Sequence, residues 1–440
     1  MTTKPIIEWQ RMRENGKEHL GSIVCLGGSH ESLPIIQKVM EMGYRPIVLD
    51  GNENCVASLY ANALRSEKSY WNKQPVVFIK ANCYNYLSCA QALLWAVRKE
   101  RRRYDDGFFN LEDLVGVLCC AIDAPMVAAQ LAEKYRLPTI GSNAARYGVN
   151  KFYQWQRLES NNIPVPTTRI VNPEMGWEEV SDYNLIKPVD SRGARGVRFY
   201  DESNYREAFA EALSWSKERS VVAQKFIPGV QLSTESIVYD GYVDMTSVVQ
   251  RNYDRLHEFS PYIIEDGCDS TEPSSLNYNI NLLIERCCRV LGWNNCTVKG
   301  DLVIDGDLLY VLELAPRLSG GFFSSHITPL SMGWDLVGDA VRLATGNKPV
   351  LHFGPSRGFV SQRYIFPKSD WIGKRIVGMP EFPSDVNFGT WNVKVGDVIQ
   401  RVQHHPSRLG QVIVVGETST EAVSKAVEIV KELAERIEVE

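Results

Sequence analysis

Short apolar runs alternate with longer segments of helical spacing over the first third of the chain. Apolar runs bounded by turn residues predict buried strands, and the segments between them predict amphipathic helices. The turn Gly27-Gly28 lacks the G-x-G-x-x-G spacing of a phosphate loop and is interpreted as structural. The predicted strands are 22–26, 46–50, 115–120 and 138–140, and the predicted helices are 31–42 and 125–135. This order indicates a doubly wound α/β domain.

The pattern changes at residues 163–166, Ile-Pro-Val-Pro, whose prolines favour extended chain and mark a crossing between domains. A helix begins near Lys151, before this crossing, and alternating polar and apolar positions beyond it predict antiparallel strands. The later elements are a meander (221–227, 232–239, 242–251), a helix (280–291), a hairpin (298–314), a strand (411–415) and a final helix (420–437). The chain therefore combines an α/β part with an α+β part.

Composition narrows the class of protein. The chain has 440 residues, of which 44% are hydrophobic and 23% charged, as in a soluble globular protein of about three domains. A formal net charge of −5 and one short basic run, Lys99 to Arg103 at a predicted helix end, argue against nucleic-acid binding. The most apolar window, Val115 to Ala132, is interrupted by Asp123 and Pro125, so no membrane span is expected.

The ten cysteines are spread along the chain. Two doublets, Cys119-Cys120 and Cys287-Cys288, and the lack of a signal peptide favour reduced thiols in a cytoplasmic protein. Neither Cys-x-x-Cys nor His-x-x-x-His spacing occurs, so a structural zinc is not expected.

A lysine and a glycine-rich loop follow a short apolar strand at 185–188. Lys187 can reach a phosphate from the strand end, and Gly193 and Gly196 let the backbone N–H groups of 191–194 approach it closely. The sequence therefore predicts a polyphosphate site. The alternative is a flexible surface turn whose arginines are solvated.

Two carboxylates, Asp301 and Glu313, interrupt the otherwise apolar strands of the predicted hairpin. An ionised carboxylate that faces a core is costly unless it is paired or holds a metal. With 305–307 as a three-residue loop, the two side chains would lie one diagonal step apart on the same face, which suits a divalent cation. A two-residue loop would place them on opposite faces, and a structural bridge to Arg317 or Lys299 is the other alternative.

These features, in this order, resemble the ATP-grasp superfamily and its carboxylate–amine ligase branch, which includes L-amino-acid ligases and carnosine synthase. Biotin carboxylase-like members share the acidic pair. The likeness rests on Lys151 before the proline segment, Lys187 before the glycine-rich loop, Asp301, and the string from Glu313 to Gly321. It implies a Rossmann-like pre-ATP-grasp domain (1–145), an ATP-grasp domain with antiparallel sheets (146–350, with a lid at about 188–230) and a small C-terminal α+β domain (351–440).

The resemblance also implies the residues of the site. By itself the strand 221–227 is a plain edge strand whose terminal backbone polar groups would be free, but in the family this strand contacts adenine. The implied nucleotide-binding residues are Lys151, Lys187, Ser191, Arg192, Gly193, Ala194, Gln224, Lys225, Phe226, Ile227 and Gln231. Asp301 and Glu313 match the magnesium ligands, while Ala315 stands where the family often has a ligating asparagine. The implied catalytic residues are Arg317, Lys187, Gly320 and Gly321.

The implied function is an ATP- and Mg²⁺-dependent ligase, with Mn²⁺ as a substitute metal. It would activate a small-molecule carboxylate as an acyl phosphate, release ADP, and form an amide bond with an amine. One alternative is a bicarbonate-phosphorylating carboxylase or carbamoyl phosphate synthase-like enzyme. Another is a non-catalytic ATP-binding protein, which the alanine at 315 favours. Analogy suggests a homodimer formed through the N-terminal domain.

The sequence contains no motif that identifies the residues in contact with the acid or the amine. The segment 250–268 and the turn after Gly321 contain polar candidates for an acceptor pocket, and His30 is expected to face the cleft. A histidine pair, His404-His405, has no neighbouring ligand candidates and is expected in an exposed loop. The acceptor candidates are Arg251, His257, Glu258, Glu265 and His326.

Overall fold

The computed structural model describes residues 19–66, 76–101, 110–271 and 275–440. The N-terminal part is a four-stranded parallel sheet in the order β3-β2-β1-β4, flanked by helices. Its elements are β1 (Ser22–Leu26), α1 (Leu33–Glu41), β2 (Arg45–Asp50), α2 (Val56–Ser66), β3 (Val77–Lys80), α3 (Tyr86–Arg101), β4 (Leu114–Cys119) and α4 (Pro125–Tyr135). Strand β1 has β2 on one side and β4 on the other, so the strand order reverses there.

Two sequence expectations change in this region. The sequence pattern missed β3, and the strand predicted at 138–140 is wrong. Arg136 ends α4 in the left-handed conformation, with φ of 57°, and the N–H of Leu137 donates back to Ala132 O at 2.8 Å. The chain therefore turns away before it can pair with the sheet. Helix α3 ends at Arg101, and the remainder of the basic run lies outside the described residues.

A small antiparallel sheet follows, in the order β5-β8-β6-β7. Its elements and the helices before and within it are α5 (Ser142–Ala145), α6 (Lys151–Glu159), β5 (Thr168–Val171), β6 (Leu185–Pro188), β7 (Arg198–Phe199), α7 (Tyr205–Trp215) and β8 (Val221–Gln224). Strand β8 pairs with β5 and β6, so it does not belong to the predicted meander. The sheet includes strands on both sides of residue 188, at which the predicted lid begins.

The largest sheet has eight strands and runs through the rest of the chain. Its elements and their neighbours are β9 (Val230–Tyr239), β10 (Tyr242–Asn252), β11 (Gly267–Ser270), α8 (Ser275–Leu291), β12 (Cys296–Asp305), β13 (Leu308–Ala315), α9 (Thr328–Met332), α10 (Leu336–Ala344), β14 (Phe359–Ile365), β15 (Ile376–Gly378), β16 (Phe388–Trp391), β17 (Gly410–Gly416), α11 (Ser419–Glu435) and β18 (Glu438–Val439). The strand order is β13-β12-β9-β10-β11-β14-β17-β16, and β15 pairs with β18.

The C-terminal strands thus extend the sheet that begins with β9. Helix α8 packs on β9 and β10, and helix α11 packs on β14 and β17. The predicted combination of α/β and antiparallel α+β architecture is confirmed. None of the helices within the described ranges has both the length and the apolar character that a membrane crossing needs.

Candidate active site

A cavity of about 680 Å³ lies where the three sheets meet. Its walls come from the loops after β1 and β4, from the small sheet and from both halves of the large sheet. All the nucleotide, metal and catalytic residues predicted from the sequence line it. We call the half around Lys151 and Lys187 the lysine end, and the half around Arg251, Arg317 and Arg408 the arginine end.

Lys187 lies at the end of β6 with its side chain buried. Its ammonium nitrogen is 4.7 Å from the ring centroid of Trp155, whose own N–H donates to Leu312 O at 2.9 Å. Burial lowers the pKa of Lys187 to about 7, and Lys151 adds to this effect, while Glu313 and Asp301 oppose it. A buried ammonium that lies against an indole ring and lacks a full counter-charge favours an anionic ligand.

Lys151 opens helix α6, and its side chain joins two walls of the cavity. Its ammonium donates to Ser191 O at 2.7 Å and lies 3.3 Å from Oε1 of Glu313. The backbone N–H of Lys151 donates to Val189 O at 2.9 Å. The helix start is therefore attached to the small sheet, and one lysine spans the glycine-rich loop and the acidic hairpin.

The glycine-rich loop needs glycine for its shape and its packing. Gly193 and Gly196 have φ of 62° and 70°, in the left-handed region. A Cβ on Gly196 would lie 2.9 Å from Cδ1 of Trp215 on α7. The loop also touches the other parts of the chain, because Gly193 O accepts from His405 N at 3.0 Å and the Arg192 guanidinium lies 3.8 Å from the ring centroid of Tyr84. It is not a free surface turn.

The segment after β8 borders the same end of the cavity. Its backbone is less free than the sequence suggested: the N–H of Lys225 donates to Thr167 O at 2.9 Å, and that of Phe226 donates to Asn184 Oδ1 at 2.9 Å. Phe226 packs edge-on against Phe199, with ring centroids 5.1 Å apart. An incoming ligand would therefore meet side chains and carbonyl oxygens of this segment rather than those two N–H groups.

Asp301 and Glu313 lie on the same face of the hairpin, as predicted, but the strand register differs from the prediction. Strands β12 and β13 are joined by a two-residue turn, Gly306-Asp307, so the predicted three-residue loop is wrong. A β-bulge between Asp301 and Leu302 shifts the pairing, which places Glu313 directly opposite Asp301. The bulge thus restores the shared face that the short turn alone would have removed.

Basic side chains surround Asp301. Lys299 contacts its Oδ2, Nη1 of Arg251 lies 3.7 Å away, and Ser233 Oγ donates to Oδ1 at 2.8 Å. Burial opposes ionisation of Asp301, but Lys299 and Arg251 outweigh it and hold the pKa of this carboxyl below its ordinary value. The bridge to Lys299 that the sequence left open is therefore present. Lys299 lies directly opposite Ala315 across the strands.

The donor set fits a magnesium ion that is shared with a phosphate. Mg²⁺ is usually bound by one or two protein carboxylates, with phosphate oxygens and water completing its octahedron. Asp301 and Glu313 supply two such groups on the cavity wall. Within the described residues, no cluster of three or more acidic, histidine or cysteine side chains could hold a metal without such help.

At the arginine end, Arg317 and a glycine turn follow β13. The Nε of Arg317 donates to Oδ1 of Asp123, after β4, at 3.2 Å, and both side chains are largely buried. Burial opposes ionisation of Asp123, but Arg317 outweighs it and keeps the pKa of Asp123 below its usual value. This pair connects the parallel sheet to the turn Gly320-Gly321.

The glycine turn has its own anchors on the large sheet. Glu235 accepts from the N–H of Ser319 at 2.6 Å and from the hydroxyl of Ser324, and Gln362 Nε2 donates to Gly321 O at 2.7 Å. Burial raises the pKa of Glu235 to about 7. The turn is therefore fixed before any ligand binds.

The remaining cations of the arginine end share one carboxylate. Nη2 of Arg251 lies 3.0 Å from Oε2 of Glu265, and Nη2 of Arg408 lies 3.7 Å from the same oxygen. The Arg408 guanidinium stacks 3.5 Å from the ring centroid of Tyr364. Segments that are far apart in sequence therefore meet here.

The acceptor candidates divide into two groups. Arg251, Glu265 and His30 line the cavity, whereas His257 and Glu258 are exposed on a short helical turn. His326 is not among the lining residues; it packs beside Phe322 and Phe388, and burial lowers its pKa to about 4. The expected exposed loop at 404–405 is wrong for His405, which lines the cavity because its N–H is bonded to Gly193.

Sequence reasoning missed two acidic residues, Glu31 and Asp123. Both follow neighbouring parallel strands, β1 and β4, at the point where the strand order reverses. Ligand sites in such sheets form outside the carboxyl ends of the strands at this point, so the strand pattern contained a signal for them. Arg408 and Tyr364, which were also missed, had no local signal.

Comparisons with known proteins match two regions of the chain to protein families. The ATP-grasp domain family matches residues 149–321, and L-amino acid ligase C-terminal domain 2 matches residues 385–440. This chain contains an ATP-grasp domain. The resemblance drawn from the sequence is thereby confirmed. A search of the curated proteins finds no match.

Solved structures share the fold of this chain at low identity. The L-amino acid ligase from Bacillus licheniformis is 15% identical, with a TM-score of 0.69 over 96% of this chain and 99% of that one. Phosphoribosylglycinamide synthetase from Anaerococcus prevotii is 16% identical, with a TM-score of 0.67 and the same coverage. The biotin carboxylase domain of Hydrogenobacter thermophilus 2-oxoglutarate carboxylase is 13% identical, with a TM-score of 0.62 over 96% and 90% of the two chains.

Proposed function

We propose that the protein is an ADP-forming ligase that uses ATP to activate a small-molecule carboxylate as an acyl phosphate and then joins the acyl group to an amine. The supporting observation is that Asp301 and Glu313 oppose each other beside Lys151 and Lys187 in one cavity. Two carboxylates and two lysines match the needs of a triphosphate that carries a divalent cation. The biotin carboxylase domain mentioned above was solved with MgADP and bicarbonate.

In the first step the chain's residues position ATP and the acid. Lys151, Lys187 and the loop at 191–194 would hold the phosphates, the side chains of 224–227 would border adenine, and Gln231 would hydrogen-bond the ribose. A magnesium ion held by Asp301 and Glu313 would neutralise charge on the β- and γ-phosphates. An oxygen of the substrate carboxylate then attacks the γ-phosphorus in line, and ADP leaves.

In the second step the amine attacks the acyl carbon and phosphate leaves. Arg317 and, in the turn Gly320-Gly321, the backbone N–H of Gly320 would stabilise the developing oxyanion. Since Glu235 and Gln362 already fix this turn, little reorganisation is needed when charge appears. No side chain has to act as a covalent nucleophile.

The test combines Mg-ATP with pools of carboxylic acids and amines and follows ADP, AMP and phosphate. We expect ADP and phosphate to appear only when both an acid and an amine are present, together with an amide detected by mass spectrometry. The variants Asp301→Asn and Glu313→Gln should slow product formation by about 100-fold or more, whereas Glu53→Gln, on the exposed surface, should not.

Three outcomes would contradict the proposal. AMP in place of ADP would rule out the acyl phosphate route. ADP release that depends on bicarbonate alone would favour the carboxylase alternative. Tight ATP binding with no turnover in any pool would favour a nucleotide-binding protein, for which the existing bridges of Asp301 to Lys299 and Arg251 would be the structural basis.

A further inference from the structure

The loop between β1 and α1 carries a carboxylate into the arginine end. Glu31 lines the cavity and is only partly exposed. Hydrogen bonds fix the loop to the ends of neighbouring strands: the hydroxyl of Ser32 donates to Cys120 O at 2.7 Å, and the N–H of Gly28 donates to Asp50 Oδ2 at 2.8 Å. Glu31 is therefore held at a defined place on the N-terminal wall.

The carboxylate of Glu31 lies against the glycine turn. A Cβ on Gly320 would lie 2.6 Å from its Oε2, so the carboxylate is in close contact with this turn and a side chain at 320 would displace it. Burial raises the pKa of Glu31, and the backbone N–H of Gly321 and the charges of Arg317 and Arg408 oppose the rise. Glu31 thus faces the same turn and the same arginine that would hold the acyl group.

The turn Gly320-Gly321 does not need Glu31 to hold it in place. Glu235 and Gln362 already hold the turn from the large sheet with hydrogen bonds of 2.6 and 2.7 Å. A carboxylate that loses solvent without gaining a full ion pair is costly and is expected where it meets a ligand. Arg317 and Arg408 have their own partners in Asp123 and Glu265.

We propose that Glu31 is the catalytic residue that binds the ammonium group of the amine substrate and accepts the proton that the nitrogen must lose before it attacks. This inference rests on the proposed ligase function. The nitrogen lone pair then forms the C–N bond, and the C–O bond to phosphate breaks with its electron pair going to phosphate. The second proton on nitrogen leaves with the phosphate, so charge and atoms balance.

The experiment separates activation of the acid from deprotonation of the amine. Each standard L-amino acid is incubated with Mg-ATP in two reactions. In one it is the sole substrate and serves as both acid and amine; in the other hydroxylamine is added. Hydroxylamine is uncharged at neutral pH, so it needs no base before it attacks the acyl phosphate. Hydroxamate formation then reports the acyl phosphate, and dipeptide formation reports the complete reaction. The proteins are wild type, Glu31→Gln, Glu31→Asp and the surface control Glu53→Gln.

We expect Glu31→Gln to form hydroxamate at nearly the wild-type rate and to form dipeptide about 100-fold more slowly or less. Glutamine keeps an acceptor for the N–H of Gly321 but cannot take the proton. Glu31→Asp should recover part of the dipeptide rate because it keeps a carboxylate. An equal fall in hydroxamate and dipeptide would mean that Glu31 supports the turn, and no change in dipeptide would remove it from the reaction; either result overturns the assignment. If the wild type forms neither product, the proposed function fails, and the assignment fails with it.

Discussion

The two ends of the cavity differ in the partners of their positively charged side chains. At the lysine end, the ammonium of Lys187 lies against the ring of Trp155, and burial weakens its hold on its own proton. At the arginine end, Arg251, Arg317 and Arg408 each lie beside a carboxylate. A buried cation without a full counter-charge favours an anionic ligand, whereas paired arginines leave little net charge.

This contrast bears on what each end would bind. A polyphosphate supplies the negative charge that the lysine end lacks. A ligand of low net charge, such as a zwitterionic amino acid, suits an end whose three arginines already lie among the carboxylates of Asp123, Glu265 and Glu31. If the two ends differ as their contacts indicate, substitutions at the lysine end should chiefly change nucleotide and Mg²⁺ use.

The largest effect is expected for Glu313→Gln at the lysine end. The amide keeps the shape but loses the charge needed for a divalent cation, so Mg²⁺-dependent turnover should fall roughly 100- to 1,000-fold. The free energy of unfolding should change by only about 1–2 kcal/mol, because Lys151 also donates to Ser191 O. Steady-state kinetics and urea denaturation measure the two quantities. A comparable collapse of stability would show that the carboxylate is structural.

The next effect concerns Lys187→Met. Removal of the cation should lower ATP turnover about 100-fold, since no other ammonium lies against Trp155 among the described residues. The thermal midpoint should stay the same or rise, because burying an ammonium is costly. Lys80→Met, an exposed change on the N-terminal sheet, is the matched control. Kinetics equal to those of the control would remove Lys187 from the site.

A pH effect follows from the same lysine. Its pKa is lowered from 10.5 to about 7 in the folded protein, so the unfolded chain binds this proton more tightly and Lys187 adds to stability as pH rises between these values. Bound triphosphate should raise the pKa again, so ATP binding at about pH 8.5 should take up a proton, to a limit of about one per ATP.

Calorimetry in buffers of different ionisation enthalpy measures this uptake. Lys187→Arg is the control, because a guanidinium stays charged over this range and should bind ATP without the added proton uptake. Uptake that persists in the arginine variant would assign the proton to another group.

The two ends also differ in how far the sequence reveals them. Lys151, Lys187 and the glycine-rich loop lie in continuous segments with local turn and strand signals, and the expected residues do line the cavity. Nothing in the run from Leu308 to Glu313 marks the bulge that sets the register, so the predicted three-residue loop and diagonal arrangement were wrong although the shared face was right.

The arginine end depends on contacts between distant segments. Arg408 and Tyr364 reach it only because β14 and β17 extend the large sheet, an event of long-range strand pairing. Glu31 and Asp123 were within reach of the sequence, since both follow predicted parallel strands, but their convergence requires the order of those strands. Local motifs therefore identify the lysine end and, at the arginine end, Arg317 with its glycine turn, whereas the strand order brings the distant residues to the arginine end.

The smallest predicted effect lies where the two ends meet, at Lys299. Its ammonium contacts Asp301 and lies opposite Ala315, so it competes with a divalent cation for the same carboxylate. In Lys299→Met, the Mg²⁺ concentration that gives half-maximal ATP binding should fall by roughly fivefold, or about 1 kcal/mol. Fluorescence titration of ATP binding at fixed Mg²⁺ concentrations measures it without turnover, with Lys80→Met as control. An unchanged Mg²⁺ requirement would mean that Lys299 leaves Asp301 at no cost when nucleotide binds. The bridge between them would then not affect the charge at either end of the cavity.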